Sequence, residues 1–535
     1  MRRLGLLCGA LVILGCGGGD AEPGGGEGGT AGEGGGGGGD GGGEPCPAPQ
    51  VLKAGTCVTP GVPVAGCAPG FEHDGDLGCV AVMPEQPCGD GLVALPGDTE
   101  CRDLTPCLDG TFSDLPTDNT TQFVDGSYGG GDSDGSQAKP WVTIGEGIAA
   151  ATSGAIVAVA AGSYPEDVRI EDKSVELWGQ CASLVEIRGQ TAQAALWIQG
   201  GAATGSEVHN LAVVGDDVGV VVISASDVLV EGVWVHDTAS VGINTADAMG
   251  PVSLTVRASL VERAARLGIH VIGGSALVEG TTVRDTQPNP DDLRHGRGIE
   301  VVRSLYTTID SDLTISGSVV ERNHDLGVNI GGGTATIDGT LIRDTLTQVA
   351  DQEGGRGINA QAVRFQGETS GGSASLVISG TVVERSTEIG IFIAASEAEI
   401  RQTTVRDVAP SAVDGRFGRG IEGGGQLFGA DPVAVRSSLL VAETLIDRVH
   451  DGGLVCCDCE GAIDLLAIRD VEARPFDDAF GDGIVLFAQA DGTRATVTST
   501  RVQNSARAGV GVFGSHLELG EVVLECNTFP LNGEM

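Results

Sequence analysis

The chain has 535 residues, of which 88 are Gly and only a few are aromatic (4 Trp, 3 Tyr, 12 Phe). It is long enough for several domains, but its core must come from stacked aliphatic side chains. A net charge of −42, from 73 acids against 31 bases, excludes nucleic acid and anionic membrane surfaces as partners, because both recruit a basic surface.

The first segment, MRRLGLLCGALVILGC, has a basic start (Arg2, Arg3) and an apolar run from Leu4 to Leu14 that is too short to span a bilayer as a helix. Ile13-Leu14-Gly15-Cys16 resembles a bacterial lipobox. The resemblance implies a signal peptide over 1–15, cleavage before Cys16 and acylation of that residue. With Gly17 next, it also implies anchoring in outer-membrane lipid on the periplasmic or cell-surface side. One acyl chain binds a membrane only marginally, whereas a multiply acylated cysteine anchors stably. Residues 16–45 are almost entirely Gly with scattered Glu and Asp, a composition that predicts a flexible tether with a reach of roughly 30 Å.

Residues 46–110 carry Cys46, Cys57, Cys67, Cys79, Cys88, Cys101 and Cys107 among Pro and Gly. No pair is spaced CxxC, so this density predicts a small disulfide-stapled module rather than a zinc site. Seven is odd, so one cysteine must pair outside the module, and Cys181 in WGQCASLVEI is the available partner. Segments such as CAPGFEHDGDLGC resemble the cysteine-rich leaders of other bacterial surface lipoproteins, to which no activity is attached.

From residue 123 the chain repeats itself. VERNHDLGVNIGGGTATIDGTLIRDT (320–345) and VERSTEIGIFIAASEAEIRQTTVRDV (383–408) are one phrase with different surface residues. Its leading arginines, Arg263, Arg322, Arg385 and Arg448, are 59, 63 and 63 residues apart, and each is followed 21 residues later by another: Arg284, Arg343, Arg406 and Arg469. Gly-Ile-type pairs such as Gly298-Ile299, Gly327-Val328 and Gly357-Ile358 recur about every 30 residues, so two coils make one repeat. Apolar residues alternate and β-branched residues dominate, which predicts short strands. A single coil cannot bury its apolar face, whereas stacked coils can. The glycine before each Ile predicts a sharp corner or a close backbone approach.

The pattern V-x-R-[ND]-x-x-x-G-I resembles the repeat of right-handed parallel β-helix proteins of the pectate-lyase-like superfamily. The entry segment 123–170 resembles the opening of such helices, with a cap helix near Ile144–Ala151 and a first strand at Ala155–Ala160. The resemblance implies an all-β domain over 123–535, with about 14 rungs between Ala155 and Cys526 and a length of roughly 65 Å at the parallel-strand spacing. It implies no particular function, because the scaffold serves lyases, hydrolases, epimerases, adhesins and proteins with no reaction.

Corner lengths alternate. Four residues separate Arg263, Arg322, Arg385 and Arg448 from the next Gly-Ile, but twelve follow Asp285, Asp344, Asp407 and Asp470. Every second rung thus throws a loop from one edge, the usual place for binding in a repeat protein. The candidate binding edge is Asp291, Asp292, Arg294, His295, Arg297, Asp351, Glu353, Arg356, Asp414, Arg416, Arg419, Asp477, Asp478 and Asp482, with Glu472 and Arg474 beside them. Mixed charge there suits polyhydroxylated chains, with calcium as an optional bridging ion. The competing reading is that Arg297, Arg356 and Arg419 only pair with neighbouring acids and seal the corner.

No catalytic residue is assigned. The Arg-Asp steps and His236-Asp237 recur as a ladder, whereas a catalytic site is needed once, and Asp216-Asp217 lacks the N-T-D partner that a pectin hydrolase would need. In GLVCCDCEG, Cys456, Cys457 and Cys459 could hold a soft metal. Together with Cys526 they instead predict two disulfides, and no metal is assigned. The expected function is a surface lipoprotein presenting a rigid, non-enzymatic β-helix that binds a polysaccharide or a surface protein. The alternative is a lyase or hydrolase of uronate-rich polymers.

Overall fold

A computed structural model describes residues 46–534, except 108, 113–114, 305–306, 308, 365–371, 429–432 and 489–492. The lipobox, Cys16 and the tether lie outside the described residues. From residue 122 onward the chain winds into a parallel β-helix of three long sheets. Every coil contributes one strand to each in the order sheet 1, sheet 2, sheet 3. The first coil is Ala155–Val159, Gly162–Tyr164 and Val168–Ile170, and the last is His516–Gly520, Val523–Glu525 and Phe529–Glu534. Sheets 2 and 3 have 14 strands, and sheet 1 has 15 because Gln122–Val124 pairs parallel with Ala155–Val159. Helix α1 (Ile144–Ala150) closes the first coil, its start fixed by a capping box between Thr143 and Glu146.

Like residues stack on like inside. In sheet 3, Ile243, Ile269, Ile299, Val328, Ile358, Ile391, Ile421, Leu454, Ile484 and Val510 occupy successive rungs, all of them fully buried. The glycine before each is required by close approach and not by a positive φ. A Cβ on Gly390 would lie 2.6 Å from Val405 Cγ1 and 2.7 Å from the Gly420 carbonyl of the next coil.

The two-coil period has an electrostatic cause. The third residues of successive sheet 2 strands are Glu262, Arg284, Glu321, Arg343, Glu384, Arg406, Asp447 and Arg469, in register. The residue after each alternates in the opposite phase: Arg263, Asp285, Arg322, Asp344, Arg385, Asp407, Arg448 and Asp470, all with positive φ. Acid therefore meets base along the two columns, as in Arg343–Glu321 (2.7 Å) and Arg385–Asp344 (2.6 Å), and across them, as in Arg385–Glu384 (2.5 Å). A one-coil repeat would put like charges about 4.8 Å apart, so the phrase must alternate.

Residues 46–107 do not form a body set apart before the solenoid. They lie along the outer face of sheet 2 and run against the direction of the coils. Lys53 pairs with Asp464, the Gly61 amide donates to the Leu465 carbonyl, and the Cys79 amide donates to Thr404 Oγ1. Arg284 donates to the Cys88 and Gly89 carbonyls, and the Ala182 amide donates to Thr105 Oγ1. Within this strap the disulfides are Cys46–Cys57, Cys67–Cys79 and Cys88–Cys101, and Cys107–Cys181 ties it to the solenoid. The strap covers an apolar row on the outside of sheet 2: Val319, Leu341 and Val382 under Val62 and Phe71, and Leu445 and Ala467 under Leu77.

Candidate functional site

The four twelve-residue loops leave the corner between sheets 2 and 3 and share one conformation. In each, an amide closes a five-residue turn: Leu293 to the Asn289 carbonyl, Gln352 to Gln348, Gly415 to Ser411 and Asp478 to Arg474. The turn residue that bonds last has positive φ in every case (Leu293, Gln352, Gly415, Asp478). Asp292, Asp351, Asp414 and Asp477 occupy the equivalent position in the four loops. Each accepts the amide of the residue two further on, and thereby holds the turn.

The loops stack in pairs. The Ala350 amide donates to the Leu293 carbonyl, and Arg294 meets Asp351 at 2.8 Å, which joins the first loop to the second. The Phe476 amide donates to the Gly415 carbonyl, and the Arg416 guanidinium sits 4.3 Å over the Phe476 ring, which joins the third to the fourth. The outcome is a ridge whose exposed crest includes Leu293, Val349, Val413 and Phe476. Among the proposed edge residues, Asp291, Asp292, Arg294, Glu353, Asp414, Asp477 and Asp478 are exposed on this ridge, and Asp351, Arg416 and His295 are partly so. The apolar crest carries no charge and so falls outside the charge pattern that marks the loops. Its sequence signal is the large apolar residue that each charged twelve-residue insertion carries near its middle, Leu293, Val349, Val413 and Phe476.

Arg297, Arg356, Arg419 and Asp482 do not belong to the ridge. Each begins a sheet 3 strand and turns onto the outer floor of that sheet. Arg297 pairs with Asp325 (2.6 Å) and Glu300, Arg419 pairs with Asp451 (2.7 Å) and Glu422 (2.9 Å), and Arg507 meets the fully buried Asp482. Arg356 reaches Glu388 at 3.5 Å and lies over the Phe392 ring. A hydrogen-bonded row links Glu300, Asn329 and Asn359. Burial raises the Glu300 and Asp325 pKa values, but Arg297, together with His270 and Asn329 at Glu300 and His295 at Asp325, more than offsets this and leaves both below the usual carboxylate range. Glu388 goes the other way, because burial outweighs Arg356 and pushes its carboxyl up. These groups are committed to one another, which is the corner-sealing role.

A separate polar cleft of about 270 Å³ lies at the same corner in the early coils, lined by Arg188, Gln190, Asp216, His236 and Asp237. On the two rungs below His236 the ladder positions carry Val214, Gly189 and Gly215, which leave the space open, and Arg188, which lines it. His236 Nδ1 is 2.7 Å from Asp237 Oδ2, its ring stacks on Trp234 at 3.8 Å, and Nε2 is buried without a partner. Arg263 grips both oxygens of Asp237, and hydrogen bonding from that guanidinium lowers the carboxyl to about 2.

In GLVCCDCEG, Cys456 bonds Cys459. Closure of this trio with Cys526 does not occur: Cys526 is a free, exposed thiol. The reason is placement, since the trio spans the sheet 3 to sheet 1 corner whereas Cys526 sits at the sheet 2 to sheet 3 corner of the last coil. Among the described residues no group of three His, Cys, Asp or Glu is arranged to hold a metal ion.

No family model and no curated protein matches the chain. Solved structures do. The chain is similar to the pectate lyase Pel9A, with 12% identity and a TM-score of 0.38 over 65% of this chain and 80% of that one. It is similar to the catalytic unit of a thermostable GH87 α-1,3-glucanase from Streptomyces thermodiastaticus strain HF3-3, with 15% identity and a TM-score of 0.41 over 73% of this chain and 65% of that one. A pectin methylesterase from Aspergillus niger matches at 14% identity and a TM-score of 0.35, over 51% and 87%. Identities this low speak to fold alone. The fold itself rests on the three parallel sheets.

Proposed function

We propose that the chain is a non-enzymatic β-helix, displayed at the bacterial outer membrane through acylated Cys16, that binds an extended glycan along its looped ridge. The observation that carries this reading is the repetition of one loop conformation four times at one corner, with exposed apolar tips beside exposed carboxylates. Modules spaced two rungs apart, about 10 Å, suit a ligand that is itself a repeating polymer. Phe476 and Val413 offer faces to sugar C–H groups, and Asp291, Asp414 and Asp478 offer acceptors to hydroxyls. Among the described residues, the acid–base pairs that recur from Glu262 to Arg469 are committed to the ladder and the sheet 3 floor.

A second reading, a polysaccharide lyase or hydrolase, is favoured by the cleft at His236, where an imidazole, the Asp216 carboxylate and Arg188 converge once and only in the early coils. The two readings separate in one experiment. Purified protein is screened on a glycan array and incubated with polyuronates and neutral glucans, with and without calcium. Retention of a polymer without new reducing ends or unsaturated products supports the binding reading. Steady product formation that is lost in His236→Ala overturns it in favour of the enzyme.

A further inference from the structure

The two loop pairs of the ridge treat one arginine position in opposite ways. Arg294 in the first loop and Arg416 in the third hold the same place, two residues after the aspartate whose carboxylate accepts their backbone amide. In the first pair Arg294 meets Asp351, the equivalent aspartate of the second loop, at 2.8 Å. In the second pair the equivalent aspartate is Asp477, and it is already taken: Arg474 of its own loop grips both carboxylate oxygens, each at 2.7 Å. Arg416 lies instead over the Phe476 ring, 4.3 Å from its centre. Among the described residues its nearest carboxylate is Asp414 at 3.6 Å, too long for a hydrogen bond. The Arg416 side chain is 31% exposed and Phe476 48%. The third loop thus presents a guanidinium whose donors have no acceptor among the described residues.

We propose that the second loop pair selects a carboxylate-bearing sugar, which Arg416 grips while the sugar ring packs beside Phe476. The inference rests on the reading of the ridge as a glycan-binding edge and names the glycan that it takes. A guanidinium over an aromatic ring is held there by cation–π attraction, and its fork of N–H donors matches the two oxygens of a carboxylate. The site suits one such charge and not a row of them. Asp414, Asp477 and Asp478 are exposed on the same two loops and repel a carboxylate on the next sugar. In the first pair Arg294 is already matched by Asp351, so it offers no second open cation. The ligand class is therefore a heteropolysaccharide in which acidic sugars are separated by neutral ones, and not a homopolymer of uronates. The net charge of −42 acts in the same direction, because it opposes a densely charged polyanion.

The test is titration calorimetry of the full chain with three sets of oligosaccharides of equal length. The first is cut from gellan, in which glucuronates are separated by neutral sugars. The second is the same material with its carboxyls reduced to hydroxymethyl groups, and the third is oligogalacturonate, charged at every sugar. The unaltered chain is expected to bind the first set about tenfold more tightly than either of the others, the scale of one hydrogen-bonded charge contact. Arg416→Gln should bring the first set down to the affinity of the second and leave the second unchanged. Arg401→Gln, which removes an exposed arginine from the outer face of sheet 1, should alter none of the three. Thermal midpoints of both variants are read beside the binding. A further measurement needs no variant: the preference of the unaltered chain for the first set over the second should shrink as salt is raised. Equal affinity for the first two sets, tightest binding of oligogalacturonate, or a preference that survives Arg416→Gln would each overturn the proposal and leave the ridge reading standing. Binding of none of the three would remove the ridge reading, and the proposal with it.

Discussion

Glu384→Ala tests the ladder that dictates the two-coil repeat. Glu384 is buried and pairs with Arg406 at 2.6 Å and Arg385 at 2.5 Å. Arg385 keeps Asp344 at 2.6 Å when Glu384 is removed, whereas Arg406 keeps only Asp407 at 3.9 Å. Breaking a buried pair costs about 3–5 kcal/mol, and the partial access of Arg406 to solvent reduces this to about 2–3 kcal/mol. Glu399→Ala, which removes a half-exposed pair with Arg401, is the control and should cost under about 0.5 kcal/mol. The sharper variant is the swap Glu384→Arg with Arg406→Glu. An isolated salt bridge would be restored by it. Here the register sets the new arginine against Arg343 and the new glutamate against Asp447, so the swap should remain at least as unstable as Glu384→Ala. The assay is urea unfolding of the three variants beside the parent chain. Wild-type stability in the swap, or a loss below about 0.5 kcal/mol in Glu384→Ala, would refute the alternating-ladder explanation.

Three further outcomes are expected. Gly390→Ala should destabilise by about 1–3 kcal/mol, because its Cβ would press on Val405 and the Gly420 carbonyl, whereas Gly201→Ala meets nothing within 4 Å and should be neutral in the same melts. Asp237 has a folded pKa of about 2 against a usual 3.8, so its contribution is complete above about pH 4 and is lost as pH falls through 2. Asp237→Asn should therefore flatten the acid limb of the stability profile, by no more than about 1 kcal/mol given its half-exposed carboxylate. Joint replacement of Cys107 and Cys181 by Ser opens a 74-residue loop and should lower stability by about 4 kcal/mol in thermal unfolding; no change would mean that the strap is held by its other contacts alone.

Much of the fold was legible because it is written periodically. The Gly-Ile pairs, the Arg spacing and the alternating corner lengths each mark one position on each rung, and repetition multiplies a weak signal. The strap was not legible as a strap. Its contacts, such as Lys53 with Asp464, span hundreds of residues and follow no period. A signal was nevertheless present in Val319-Val320, Leu341-Ile342, Val382-Val383 and Leu445-Ile446. Adjacent apolar residues on a strand mean that both faces are covered, and something had to cover the outer one. The candidate site divided along a similar line. Charge patterning located the looped corner, but it could not tell arginines that fold back onto sheet 3, such as Arg297 and Arg419, from residues that stay on the ridge. That distinction depends on which acids the next coil supplies, here Asp325 and Asp451.

The central claim is that the ridge exists for binding and not for stability. Its most direct measurement shortens all four loops to the four-residue corners of the alternate rungs, while retaining Arg297, Arg356, Arg419 and Asp482 to preserve the sheet 3 floor. Binding to the glycan array is then read beside the thermal midpoint. Solvent-facing loop length carries little stability, about 0.6 kcal/mol per doubling, while rung-on-rung contacts carry most of it. The account predicts that binding is abolished and the midpoint is held. Full-affinity binding by the shortened protein, or collapse of its midpoint, would contradict it.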